Sequence, residues 1–433
     1  MRQIKYLMWL VWFGPILLLL SPLHDFAHVA NPWYVALIAV AVLSIASGIR
    51  NRQVQLTHSA LQNRYIIYVN LVFVAILFCG TIVTLYSVMS RWGGLAANRE
   101  LFESEHRLYS YLFSITVFSA FTLAMSPFVP TLYRSFARLT WLMCGVLLLL
   151  TGNRQLVFFS LIYLTVYVLG ISRSPGRLFR RVLLGGSMVV ILAIVFSIMR
   201  LDYIEAEDLG TYGSYMSLLT GATCEGSDLC DTWLEAVYQL LYAYTGMNYT
   251  GLTYSIDFFY SNGGFPFAST SFPVLYRRLE SAGMVEGLQR YVVDYDRFIA
   301  RASGGEFSNF FSSMWGAVAI ESGFVGLLLV TAALALIVRL LSNRVTRVGN
   351  ETVYVPFVFV CAGMIFGLMQ FPFTEPFLFF ALVNMLVHCV IMISATDNGG
   401  PGSSKASAHA GVAKANVQCG TGGPAARRLD GVP

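Results

Sequence analysis

The chain has 433 residues, of which 56% are hydrophobic and only 12% charged. That charge is about half the share carried by a soluble domain, and the mean hydropathy of +0.65 is far from that of a water-exposed fold. These figures exclude an ordinary soluble enzyme, and the long apolar runs exclude a β-barrel, whose segments alternate over about ten residues. The net charge of +5 is no nucleic-acid signal, because the cations fall mainly between the apolar runs, where orientation rules account for them.

Taken in order, the runs predict an all-α polytopic membrane protein of about ten spans, each able to cross a hydrocarbon core about 30 Å thick. The first span covers about residues 6–21. Two cations precede it as in a signal peptide, but no A-x-A site follows, so the helix is expected to be retained. Spans two to seven fall near 33–49, 65–89, 108–128, a stretch ending at 150, one ending near 171, and 182–199. Residues 200–312 form one long interruption. Spans eight to ten follow near 315–338, 353–371 and 374–395. The tail from 397 to 433 is rich in Gly, Ala and Ser and lacks the apolar content to fold.

With the N-terminus placed inside, the positive-inside rule sorts the connections. Arg50, Arg52, Arg64, Arg134, Arg138, Arg173 to Arg181, Arg339, Arg344 and Arg347 all fall on the cytoplasmic side. The long loop and the cation-free first loop fall outside. Both termini are then cytoplasmic, and the organisation is 1–199 (seven spans), 200–312 (periplasmic loop), 313–396 (three spans) and the tail. External arginines are the exceptions, so they carry interest. No internal repeat of the kind that marks many transporters is visible.

Only three lysines occur, Lys5, Lys405 and Lys414, so nearly every cation of the folded part is an arginine. Its planar fork binds phosphate in a bidentate way, although GC-rich coding gives the same bias. Arg154 sits in the external turn Gly152-Asn153-Arg154, where it either snorkels to the interface or meets a ligand. The loop brings Arg200, Arg277, Arg278, Arg290, Arg297 and Arg301. The adjacent pair Arg277 and Arg278 can straddle a pyrophosphate, or can pair with Glu280 and Glu286. Glu321 lies about 9 Å inside span eight at 1.5 Å per residue, where an ionisable group is functional by default or partnered in the bundle. Gly316, Gly323 and Gly326 give that helix a small-residue face. The loop's many rings, Tyr203 and Phe258 among them, suit either sugar faces or a membrane interface.

Cys224 and Cys230 are expected to form a disulfide if the loop is periplasmic. Asp294-Tyr-Asp296 resembles a nucleotide-sugar metal motif, but it lies where nucleotide sugars are absent, so no metal and no cofactor are expected. Asn384 and His388 read as packing residues, and Glu375 as a structural one.

The G-x-R turn at 152–154, the late external loop, and the pattern F-x-x-x-W-G…E-S-G-F-x-G from Phe311 to Gly326 resemble the Wzy-type O-antigen polymerases. The likeness covers about residues 1–395. It implies a GT-C-like bundle in a bacterial inner membrane. It also implies metal-independent glycosyl transfer between undecaprenyl-pyrophosphate-linked oligosaccharides, with a chain-length regulator and a flippase as possible partners. Under it, Arg154 and Glu321 are the catalytic candidates, Glu321 as proton acceptor. Arg200, Arg277, Arg278, Arg290, Tyr203, Asn309 and Trp315 are the substrate-binding ones. The related ligases and a lipid-linked sugar transporter remain as alternatives.

Overall fold

The computed structural model describes residues 1–19, 24–25, 31–57, 59–91, 107–151, 154–172, 176–177, 180, 223–224, 247–302 and 313–368. Among these residues the structure is helical, apart from one two-residue ladder. Six helices precede the long loop: α1 (Arg2–Leu19), α2 (Pro32–Ser47), α3 (Arg64–Ser90), α4 (Arg107–Met125), α5 (Thr131–Leu150) and α6 (Arg154–Ile171). The loop itself contributes α7 (Met247–Asn262), α8 (Pro273–Ser281) and α9 (Gln289–Ala302). Then come α10 (Met314–Val348) and α11 (Glu351–Phe366). The expected spans at 182–199 and 374–395 lie outside the described residues, as does the tail.

Among the described residues, three helices are long and apolar enough to cross a membrane: α3, α5 and α10. Their surfaces support this. Val69, Val72 and Val83 of α3, Leu132 and Leu142 of α5, and Val325, Leu329 and Leu340 of α10 are all exposed. A water-soluble protein rarely shows contiguous apolar surface on this scale. Trp33, Tyr65 and Tyr86 are exposed near helix ends, where aromatic rings sit at the membrane interface.

Local chemistry sets the helix limits. Asn31 caps α2 by accepting from the Trp33 N–H, with Pro32 at the first helical position, where its missing donor is not needed. Asn63 caps α3 in the same way through Tyr65, and Ser313 caps α10 through Gly316. Gly349 ends α10 in the left-handed conformation at φ 63°, and Asn350 at once caps α11. A side chain at Gly349 would also meet the Gln55 carbonyl at 2.5 Å.

The connections gather into two polar ends. At one, the Arg50 amide donates to Ser342 Oγ at 2.8 Å and its guanidinium to Asn343 at 2.5 Å. Gln53 donates to the Ser172 carbonyl, and the Thr57 amide to the Gly349 carbonyl at 2.8 Å. At the other end, His24–Asp25 (β1) pairs antiparallel with Thr223–Cys224 (β2), and the Asn31 amide donates to Thr253 Oγ1. Every connection in the first group is one that the arginine count places on the cytoplasmic side. Both partners of each pair in the second group belong to segments that it places outside.

Candidate functional site

The α10 helix is broken at Gly323, whose φ of 60° and ψ of −156° are not helical. Only glycine adopts such a conformation readily. A side chain there would meet the Phe259 ring at 2.6 Å, and Gly264, also at positive φ, faces the same ring and the Ile320 carbonyl. The Phe265 amide donates to that carbonyl at 2.8 Å. The loop between α7 and α8 is thus laid against the break in α10.

Glu321 sits two residues before the break and is buried. Its Oε1 accepts from the Thr270 amide at 2.5 Å, from Thr270 Oγ1 at 2.6 Å and from the Ser271 amide at 2.7 Å. Its Oε2 accepts from the Ala268 amide at 3.1 Å and from Ser271 Oγ at 2.8 Å. Thr270 Oγ1 also reaches the Ala317 carbonyl. A carboxylate has about four lone-pair positions, so these donors occupy its capacity. Successive backbone N–H groups turned inward form an anion-binding concavity. Ala268 supplies part of that turn with a φ of 67°. Glu321 further lies at the N-terminal side of α8, where negative charge is favoured. Among the described residues its partners are amides and hydroxyls, with no arginine.

The same latch carries α8, and with it Arg277 and Arg278. Both are exposed, and neither has an ion-pair partner among the described residues. The single ion pair found there joins Arg297 and Asp294, at 3.9 Å on an exposed face. Glu280 and Glu286, expected as alternative partners, do not reach the arginine pair. Glu286 instead accepts from Tyr291 and, through its carbonyl, from Tyr276. Arg290 is exposed in the first turn of α9.

Trp315 lies in the first turn of α10, fully buried against Trp12 with ring centroids 6.2 Å apart. Trp12 donates to the Met364 carbonyl at 2.9 Å, whereas Trp315 Nε1 has no partner among the described residues. Arg154 is the first residue of α6; its side chain lies outside the described residues. So do Arg200, Tyr203, Asn309 and Cys230 entirely. Cys224 falls in β2, but its expected bond to Cys230 lies outside the described residues too.

The loop rings divide in a way that composition does not reveal. Phe258 packs edge-on against Phe265 (5.8 Å), Tyr295 (5.0 Å) and Phe298 (5.4 Å). Tyr249 is buried and donates to the Trp12 carbonyl. These rings form the core that fastens α7 and α9 to the bundle. Tyr260 and Phe267 remain exposed, at 64% and 81%, and are free to offer a face. In the Asp294-Tyr-Asp296 triplet, Tyr295 points inward to Ser255, and burial keeps its hydroxyl well above the ordinary phenol range. Among the described residues no group of three ligating side chains comes together for a metal. Burial also raises the Asp257 carboxyl, while the Tyr34 hydroxyl donating to it pulls the other way.

A second carboxylate was not singled out by the sequence. Glu351, in the first turn of α11, is 1% exposed. It accepts from Ser59 Oγ at 2.5 Å, Ser126 Oγ at 2.8 Å and Tyr167 OH at 2.5 Å. Its position after the cap Asn350 reads as a routine first-turn acid, and nothing local marks the three distant hydroxyls. No family model matches the chain, and no curated protein or solved structure is similar to it.

Proposed function

We propose that this chain is a multi-pass inner-membrane glycosyltransferase that polymerises undecaprenyl-pyrophosphate-linked oligosaccharide repeat units at the periplasmic face. About ten spans follow from the apolar runs, and two cytoplasmic termini from the arginine distribution. The observation that carries the reading is the pair Arg277 and Arg278. These two guanidiniums are exposed and have no counter-ion among the described residues, and they stand on a short helix fastened to one end of an apolar, membrane-length helix. Cations so placed suit a lipid whose head is a diphosphate.

In the reaction, a hydroxyl of the incoming unit attacks the anomeric carbon of the growing chain. The bond from that carbon to the carrier pyrophosphate breaks, the hydroxyl's proton passes to water, and charge collects on the departing oxygens. Preset guanidiniums stabilise that charge without having to reorganise. Of the roles weighed for Glu321, its five hydrogen bonds favour anchoring over proton acceptance. It is a positioning residue that fixes where α8 stands. Tyr260 and Phe267 supply the exposed ring faces for sugar.

The test is Arg277→Ala combined with Arg278→Ala in cells. Both side chains are exposed, so the protein should still insert. Surface glycan should shrink from a ladder to single repeat units on its lipid anchor. An unchanged ladder overturns the proposal, and loss of all surface glycan indicates a ligase or flippase instead.

A further inference from the structure

A cleft of about 260 Å³ opens between α2 and the crossing leg of α10. Its walls are Leu37, Ile38, Ala41 and Ser44 on one side, and Leu327, Thr331, Ala332 and Ala335 on the other. Val40 and Leu328, both exposed, stand at its mouth, so it opens sideways on the surface that faces lipid. Small residues on both helices keep the walls apart at Ala41 and Ala332. One lining residue is different in kind. Trp315 is 1% exposed, and its indole N–H has no acceptor among the described residues. Trp9 is the other tryptophan with a buried, unpaired N–H among the described residues, and it does not line the cleft. An unmet donor in an apolar wall is unfavourable, and a hydrocarbon chain alone cannot satisfy it. An amphiphile with oxygens at one end can.

We propose that this cleft seats the upper part of the polyprenyl chain of the carrier pyrophosphate, with the head end at Trp315. Charge complementarity sets the direction. Trp315 is two residues from Ala317, whose carbonyl holds Thr270, and Thr270 leads directly into α8 and its two exposed guanidiniums. The anionic head therefore lies at the cationic end, and the chain runs along the aliphatic walls toward Ala335. A small turn of the indole brings its N–H to a head-group oxygen. The inference rests on the polymerase reading for the identity of the lipid.

The test uses the full chain in nanodiscs with two photoreactive probes, a diazirine-tailed undecaprenyl phosphate without sugar and a diazirine-tailed phosphatidylglycerol. The polyprenyl probe should label peptides of α2 and α10, and unlabelled undecaprenyl pyrophosphate should compete it away. Ala332→Trp, which fills the cleft from an exposed position, should cut labelling about tenfold. Trp315→Phe keeps the ring and removes the donor, so it should lower the preference for polyprenyl phosphate over polyprenol several-fold. Equal labelling by phosphatidylglycerol, with no competition from the polyprenyl pyrophosphate, identifies an ordinary phospholipid seat and overturns the inference. The two readings fail separately. A labelled cleft with normal ladders in the arginine variants rejects the polymerase. An unlabelled cleft with lost ladders rejects only the tail site.

Discussion

Glu321 shows how much one buried carboxylate can organise. Hydrogen bonds to a charged group contribute about 1.5–3 kcal/mol each, not additively, and here five donors share one acceptor group. Glu321→Gln replaces one oxygen with an NH₂ that must face donors, leaving at least two of them unmet. Hydrogen exchange of the amides at 268–271 should rise sharply and chain extension should fall. Unchanged exchange would show that the latch is not what holds the loop. Gly323 is the second such residue. Gly323→Ala forces a side chain into left-handed backbone and into the Phe259 ring. It should lower the unfolding temperature and release the same loop, while Gly145→Ala, where an added methyl meets nothing within 4 Å, should do neither. The sequence already pointed to Glu321 and to the glycines around it, because a lone carboxylate and spaced glycines are rare inside an apolar run. Their partners were not legible, since Ala268, Thr270 and Ser271 are ordinary residues that meet Glu321 only through the tertiary fold.

At the level of elements, the loop helices behave as an extension of the bundle. The α9 helix places Tyr291, Tyr295, Phe298 and Ile299 on one face, and three of these rings meet Phe258 or Phe265. Truncating a buried ring to alanine typically costs about 3–5 kcal/mol. Phe258→Ala should therefore unfold α9 from the bundle before the membrane helices melt, as protease cleavage between residues 281 and 302 would report. Uniform loss of the whole protein would contradict an independently detachable loop core. This division of rings into core and surface could not be read from their density. Burial depends on which side of α7 each ring occupies, and α7 lies in a stretch whose weak apolar pattern suggests a surface loop. The helix limits, by contrast, were close to legible, because Asn31, Asn63, Ser313 and Asn350 cap where the apolar runs begin.

For the whole molecule, the two polar ends give the arginine rule a structural counterpart. Segments that counting alone assigns to one side are hydrogen-bonded to each other. Glu351 is the hub of its end, gathering hydroxyls from the 59 region, α4's end and α6. Glu351→Ala removes the acceptor and strands three buried hydroxyls, so it should destabilise by several kcal/mol, seen as a lower melting temperature in detergent with no change in substrate preference. Gly170→Ala should fail similarly, because a methyl there would collide with the Tyr354 hydroxyl. Sidedness is read with an impermeant thiol reagent. Arg277→Cys should label in intact cells, and Asn51→Cys only after permeabilisation; the reverse would invert the orientation.

The break at Gly323 also couples distant parts of the protein. The leg beyond it, residues 324–348, is about 37 Å long at 1.5 Å per residue, and its far end is tied to Arg50 and Thr57. The stub before it holds the basic helix. The break thus acts as a pivot beside the basic helix: a few degrees of tilt of the leg would move its far end, at Arg50 and Thr57, by about 2–3 Å over that length, while the cationic pair near the pivot stays almost still.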